Sequence, residues 1–261
     1  MVSKLDVSGP GLMLVFCQVT RPDLVSEGLF AAWYEEEHIP EATSTSGMPA
    51  GFRYYCLGPP NGRPWLALYP CPELDFVNSE EYKSIRVTSD MLPTETSFDV
   101  ADFDVRYYSR WQIHEPLNTK EGEFNARELV VGISGSCIHK APGRSPFVIV
   151  YAVDPPEGAD EEFDNWYKTE HLRELAKCSG YRRTTRYKCV YARHNRDDRL
   201  GKPSPHRPRW LALDEFDTKP IQEELDTARS TAKAKAILAK CKVEVGLYKL
   251  QKSYGKANMP F

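Results

Sequence analysis

Apolar runs and helical periodicities alternate along the chain in a fixed order. Leu12–Val19 is a continuous apolar run that reads as a strand, broken by Arg21-Pro22-Asp23. From Ser26 to Glu41 the spacing turns helical: Phe30, Trp33 and Glu37 fall at i, i+3 and i+7, and Tyr34 and His38 at i and i+4, on one broad face. Ser26 suits the N-cap, and Pro40 marks the place where the helix can stop. Thr43–Gly51 is a Ser/Thr/Gly-rich loop. Strands follow at Phe52–Leu57 and Trp65–Tyr69, around the turn cluster Gly58–Gly62. A second helix is predicted over Ser79–Thr88 and a fourth strand over Asp104–Gln112. The order is βαββαβ, the ferredoxin-like unit.

The order then repeats. Strands are predicted at Phe147–Val153, Arg183–Ala192, Trp210–Leu213 and Lys242–Leu250, and helices at Glu161–Lys177 and Ile221–Lys240. Phe30–Tyr55 aligns without a gap on Phe163–Lys188 with ten identities in 26 positions. They include Trp33/Trp166, Tyr34/Tyr167, Glu37/Glu170, His38/His171, Gly47/Gly180, Arg53/Arg186 and Tyr54/Tyr187, so the chain is a duplicated unit. The expected organisation is a first ferredoxin-like repeat over 11–112, a connecting segment over 113–146 and a second repeat over 147–254. Glu128–Ile133 reads as a short strand within the connection. Gly132–Ser136 approaches a nucleophile elbow but has Ser136 where the motif needs glycine. The runs MLVFCQV and FVIVYAV are apolar at consecutive positions, so both faces of each sheet should be buried. Two such sheets stacked face to face satisfy that requirement within one molecule.

Composition narrows the function. A formal charge of -3 and a pI near 6.1 argue against a general nucleic-acid or membrane-surface role. No apolar run approaches the ~20 residues of a membrane span. Seven scattered cysteines without a CxxC suit a reduced, cytoplasmic protein. The six histidines show no paired ligand spacing, and no G-x-G-x-x-G or Walker pattern occurs, so no metal and no cofactor are expected.

The helix ending W-Y-x-x-E-H, the Gly loop, the R-Y strand, W-L-A-L and S-E-E-Y-K-S together resemble the dimeric α+β barrel superfamily. Within it they resemble the EthD-type proteins, as a tandem fusion of the kind common in filamentous fungi. The resemblance covers about residues 12–112 and 147–250. It implies an α+β fold of two ferredoxin-like repeats packed sheet to sheet as an intramolecular barrel, with a pocket between each sheet and its helices. Family members include cofactor-free monooxygenases, small decarboxylases and cyclases, haem-dependent enzymes and proteins with no known reaction, and fold does not choose among them.

The candidate catalytic residues are His38, Glu37, Tyr54 and His171. A histidine in such a pocket suits general acid–base work near neutral pH. Its bland alternative is a His favoured at a helix C-terminus by the dipole, beside a capping carboxylate. Because Glu-His recurs, part of the signature is architectural. His38-Ile39-Pro40 resembles the family pattern more closely than His171-Leu172-Arg173, which favours the first repeat as the active one. Trp33, Tyr34, Arg53, Trp65, Tyr82, Tyr167, Arg186 and Tyr187 are the candidate substrate-binding residues. Tyr- and Trp-rich walls suit a planar aromatic or polyketide-like small molecule. The same aromatics also serve as core packing, and the arginines as partners of Glu37 and Glu170. The basic stretch Arg193–Arg209 either gates a pocket and holds an anion or is a solvated loop. The expected function is cofactor-independent decarboxylation, cyclisation, dehydration or isomerisation, by a monomer or homodimer. The alternatives are a cofactor-free monooxygenase and a non-catalytic carrier barrel.

Overall fold

The computed structural model describes residues 4–58, 62–116, 144–202, 206–256 and 259. The Glu128–Ile133 strand and the Gly132–Ser136 elbow lie outside them. Eight strands are present: β1 (Gly11–Val19), β2 (Ala50–Cys56), β3 (Trp65–Cys71), β4 (Ala101–His114), β5 (Phe147–Asp154), β6 (Tyr181–His194), β7 (Trp210–Phe216) and β8 (Lys242–Gly255). They hydrogen-bond in the order β1-β3-β2-β8-β5-β7-β6-β4, a closed antiparallel barrel. In the first repeat Val15 of β1 faces Ala67 of β3, and Cys17 faces Phe103 of β4. In the second, Tyr151 of β5 faces Ala212 of β7.

Contacts divide the chain into two compact units. One takes residues 1–110, 189–207 and 250–261, and the other takes 111–188 and 208–249. The units therefore do not coincide with the sequence repeats: the ends of β6 and β8 belong to the unit built on the first repeat.

The helices depart from their predicted form in three places. The first is continuous from α1 (Glu27–Trp33) through a π-helical turn (Tyr34–His38) into α2 (Ile39–Ser44). Ser26 caps α1 by accepting from Leu29 N–H. Pro40 does not stop the helix. It sits in the first turn of α2, where a missing N–H is tolerated. The second repeat carries the same π turn, Tyr167–His171, between α4 (Asp160–Trp166) and α5 (Leu172–Leu175). The predicted helix Ser79–Thr88 is a single turn, α3 (Glu80–Lys83), followed by irregular chain to Thr96 and a 3₁₀ turn at Ser97–Asp99. Its apolar positions are too few to sustain an amphipathic face. The predicted helix Ile221–Lys240 is split into α7 (Gln222–Ala228) and α8 (Ala232–Leu238), with Thr231 capping the second piece. A short helix α6 (Asn195–Arg199) opens the long turn between β6 and β7.

Both faces of β1 are buried, as its unbroken apolar run requires. Leu12 and Leu14 point away from the helix while Met13, Val15 and Cys17 pack against Phe30, Trp33 and Tyr34. Each large apolar side chain removed from water here contributes ~1.5–3 kcal/mol. In the second repeat Ala234 and Ile237 of α8 lie on Tyr151, Phe163 and Trp166. The first repeat has no helix at the place of α8.

Candidate active site

A cavity of ≈ 330 Å³ lies between the sheet and the helix of the first repeat, and every residue lining it belongs to one compact unit. Trp33, Tyr34 and His38 enter from the helix, Met13 and Val15 from β1, Tyr69 from β3, and Phe103 and Tyr107 from β4. Tyr82, Ile85 and Val87 come from α3 and the irregular chain after it. Arg193 and Asn195 come from the end of β6 and the start of α6.

The π turn sets the orientation of His38. Ile39 N–H donates to the Tyr34 carbonyl, an i→i+5 bond, so residues five apart lie one above the other. Trp33 and His38 accordingly stack at 5.2 Å, and Tyr34 meets the imidazole edge-on at 5.0 Å. His38 Nδ1 donates to the Arg86 carbonyl at 3.0 Å. A carbonyl can only accept, so the neutral ring carries its proton on Nδ1 and its lone pair on Nε2. The Arg86 guanidinium holds Glu41 at 3.0 Å and so fastens the irregular chain to α2. Burial foremost, with the charge of Arg53 adding to it, holds the His38 pKa below the usual histidine value; the Arg86 carbonyl and Glu41 oppose this.

Four phenols and one guanidinium make up the rest of the polar wall. Tyr82 and Tyr107 share a hydroxyl–hydroxyl hydrogen bond of 2.6 Å, and Tyr82 also reaches Met13 Sδ at 3.3 Å. Tyr69 donates to the Tyr34 hydroxyl at 3.3 Å. Burial pushes all four phenols up, so they are hydrogen-bond donors rather than phenolates at neutral pH. Arg193 bonds Asp198 through Nε at 3.0 Å and acts on Tyr107, opposing the effect of burial there.

Asn195 anchors this insertion. It accepts from Phe103 N–H at 2.8 Å and donates to the Ala101 carbonyl at 3.0 Å. Beside it, His194 lies between Asp102 and Asp197, and Arg63 donates to Asp102 at 3.1 Å.

Of the residues singled out in the sequence, Trp33, Tyr34, His38 and Tyr82 share the cavity wall. Glu37 is half-buried and does not line it, because the π turn rotates it off the Trp33–His38 stack. Tyr54 is fully buried but does not line the cavity: alternation on β2 gives it the face opposite Arg53. Arg53 lies behind the wall with its Cζ 4.1 Å from the Tyr34 ring centre and 4.3 Å from that of Trp65. Trp65 itself is pinned outside by donating to Glu27.

The corresponding residues of the second repeat form a packed interior. His171 is buried, stacked on Trp166 at 4.8 Å, and burial first, then Arg229, pushes its pKa down to about 3. Glu170 accepts from Trp166 and from Thr231, the cap of α8. Arg186 lies over Tyr167 and donates to Asp164 and Gln112. Tyr187 is buried on the opposite face of β6. Neither arginine pairs with the glutamate anticipated for it.

Sequence reasoning counted Tyr69 and Tyr107 among the aromatics of the first repeat, as pocket wall or as packing, but not among the candidate site residues. Arg193 was visible only as part of a charge-rich stretch. Its signal was the length difference between the turns of the two repeats. Among the described residues, no three His, Cys, Asp or Glu side chains converge as metal ligands. No helix among them is long and apolar enough to cross a membrane.

Solved structures share this architecture. An anthrone oxidase-like protein superposes with a TM-score of 0.54 at 14% identity, over 94% of this chain and 93% of its own. A candidate monooxygenase of Fusobacterium nucleatum subsp. nucleatum gives 0.54 at 9% identity, over 97% and 98%. One of Lactobacillus acidophilus gives 0.51 at 11%, over 96% and 98%. At these identities the likeness is one of fold. No family model matches the chain, and no curated protein matches it in sequence.

Proposed function

We propose that the chain is a cofactor-independent enzyme that moves a proton on an enolisable aromatic or polyketide-like small molecule, with His38 Nε2 as the base. The carrying observation is the His38 Nδ1–Arg86 carbonyl bond, which fixes the basic nitrogen of an imidazole lining an apolar cavity. Tyr82 and Tyr107 supply hydroxyls for a developing enolate, as an oxyanion site does. Trp33, Tyr34, Phe98 and Phe103 offer the flat apolar walls that an aromatic ring fills. Cyclisation, dehydration, isomerisation and decarboxylation all use this combination of positioned base and enolate stabiliser.

The domain reading that accompanies this function is two ferredoxin-like repeats, over 11–112 and 147–254, packed as an intramolecular counterpart of a two-chain barrel. The first repeat carries the chemistry and the second supports it, in an EthD-like, cytoplasmic protein that acts as a monomer or homodimer.

A second reading draws on the fold shared with an anthrone oxidase-like protein. There the same base generates a carbanion that reacts with dioxygen. Anthrone tests both, because its CH₂ carbon is acidic and its oxidation balances as anthrone plus O₂ giving anthraquinone plus water. Without oxygen, the protein should exchange the anthrone CH₂ hydrogens for solvent deuterium faster than buffer does. His38→Ala should abolish that exchange and His171→Ala should leave it in the folded fraction. Exchange equal in the wild type and His38→Ala would remove His38 as the base. Stoichiometric oxygen uptake in air would select the oxygenase.

A further inference from the structure

The nineteen residues lining the cavity include His38, Lys83 and Arg193 but no aspartate or glutamate. Lys83 is exposed and engaged by Glu80 at 2.7 Å. That leaves Arg193 as the guanidinium at the cavity, half-buried and set beside the Tyr82–Tyr107 hydroxyl pair. Its Asp198 bond uses Nε, so Nη1 and Nη2 take no part in that bond. The segment carrying it is not loose. Asn195 is stitched to Phe103 and Ala101, and Arg199 bonds Thr96 and Asp99. A cation held rigidly on an apolar wall, next to hydrogen-bond donors and with no acid lining the cavity, is arranged for an anion.

From this geometry we infer that Arg193 is the cation of a carboxylate subsite beside the Tyr82–Tyr107 pair, so that the ligand is an aromatic carboxylate rather than a neutral ring. The inference rests on the cavity being a small-molecule site, as in the proposed function, and it specifies the ligand's chemistry. One consequence concerns the reaction. An ion pair that is stronger on a localised carboxylate than on the carbanion left by loss of CO₂ raises the barrier to that loss. The subsite therefore favours chemistry that retains the carboxylate over decarboxylation.

The test is equilibrium binding of 2-naphthoate and its neutral analogue 2-naphthamide, followed by quenching of intrinsic fluorescence and by calorimetry. The wild type should bind naphthoate at least ten-fold tighter than naphthamide. Arg193→Gln should bring the two to parity without weakening naphthamide, Arg193→Lys should keep part of the preference, and Lys83→Gln should keep nearly all of it. Asp198→Asn removes the competing anion and should tighten naphthoate further. Thermal unfolding of each variant establishes that it is folded. Equal binding of the two probes by the wild type, or a preference that survives Arg193→Gln, overturns the subsite. No binding of either probe overturns it together with the small-molecule reading. An Arg193-dependent preference in a protein that exchanges no anthrone hydrogen leaves the subsite standing, since anthrone carries no carboxylate for it to hold.

Discussion

The guanidinium of Arg53 lies 4.1 Å from the centre of the Tyr34 ring, fully buried, with no carboxylate in ion-pair reach among the described residues. Its counterpart Arg186 lies 4.2 Å from the centre of Tyr167 but donates to Asp164 at 2.7 Å and to Gln112 at 2.9 Å. The difference traces to one position: Asp164 of the second helix corresponds to Ala31 of the first. Arg53 is held by two aromatic faces and by Nη1 donating to Cys17 Sγ at 3.5 Å. An unpaired buried cation gains from cation–π contact but bears its desolvation alone. Arg53→Met should therefore change stability by no more than ~1 kcal/mol, whereas Arg186→Met takes from the buried Gln112 its donor, Asp164 keeping Lys168 at 2.6 Å and Trp111 at 3.0 Å, and should cost ~1–3 kcal/mol. Urea unfolding of the two variants checks this, and equal losses would remove the distinction.

Under the proposed function, the same cation should act on catalysis through its charge near His38. The base works in its neutral form, so activity falls as pH drops through the His38 pKa, which lies below the usual histidine value. The acid limb of kcat/KM should thus sit below about pH 6.5. Removing Arg53 takes away a charge that disfavours the imidazolium, so Arg53→Met should move the limb to higher pH. A limb that stays in place would show that Arg53 only packs.

His38→Ala should lower turnover by ~10²–10⁴-fold, the usual contribution of a general base. His171→Ala should act on folding instead, because that ring is buried against Trp166. Single-turnover rates per folded molecule separate the two effects.

Two buried groups of the second repeat give the protein opposing pH responses. His171 has its pKa pushed down to about 3, so the fold resists protonating it and stability is lost as pH falls below the unfolded histidine value near 6.5. Asp214 is raised to about 6, chiefly by burial, although it accepts from Thr184 at 2.7 Å. A raised carboxylate favours the fold while protonated, and that contribution disappears as pH climbs through about 6. Asp214→Asn should then be more stable than the wild type at pH 8 and lose that advantage by pH 4. Chemical unfolding at the two pH values is the measurement, and a constant difference would contradict it.

Asn195→Ala should cost ~1–3 kcal/mol, because Phe103 N–H and the Ala101 carbonyl lose their partner in a buried place. It should also weaken 2-naphthoate more than 2-naphthamide, since the segment it releases carries Arg193. Equal weakening of both probes would show that Asn195 supports the wall as a whole.

The strands were legible because continuous apolar runs such as MLVFCQV have few other places to go, and the duplication was legible in ten aligned identities. The tyrosines and His38 were visible as candidates because aromatic residues and a histidine recur on one helical face. What the sequence hid was geometric. A 3.6-residue period cannot announce a π turn, so Glu37 was given a place beside His38 that the i→i+5 bond denies it. Pro40 marked the start of α2 rather than an end, because a proline suits either position. The cavity is lined in part by Ile85 and Val87, in irregular chain where a helix was predicted, and tertiary packing of that kind leaves no periodic signal. Arg193 was obscured for a different reason. It lies 155 positions from His38, and nothing in a charge-rich stretch distinguishes the side chain that turns inward.

That separation has a consequence for how the protein is made. His38, Tyr82 and Tyr107 leave the ribosome well before Asn195, whose bonds to Phe103 and Ala101 fix the wall that carries Arg193. A nascent chain stalled near residue 190 holds the candidate base and both hydroxyls but not the fourth wall around them. The candidate site is complete only once the chain has passed Asn195, midway through the later copy of the repeat, and that point sets the earliest moment at which a ligand can act as a folding aid.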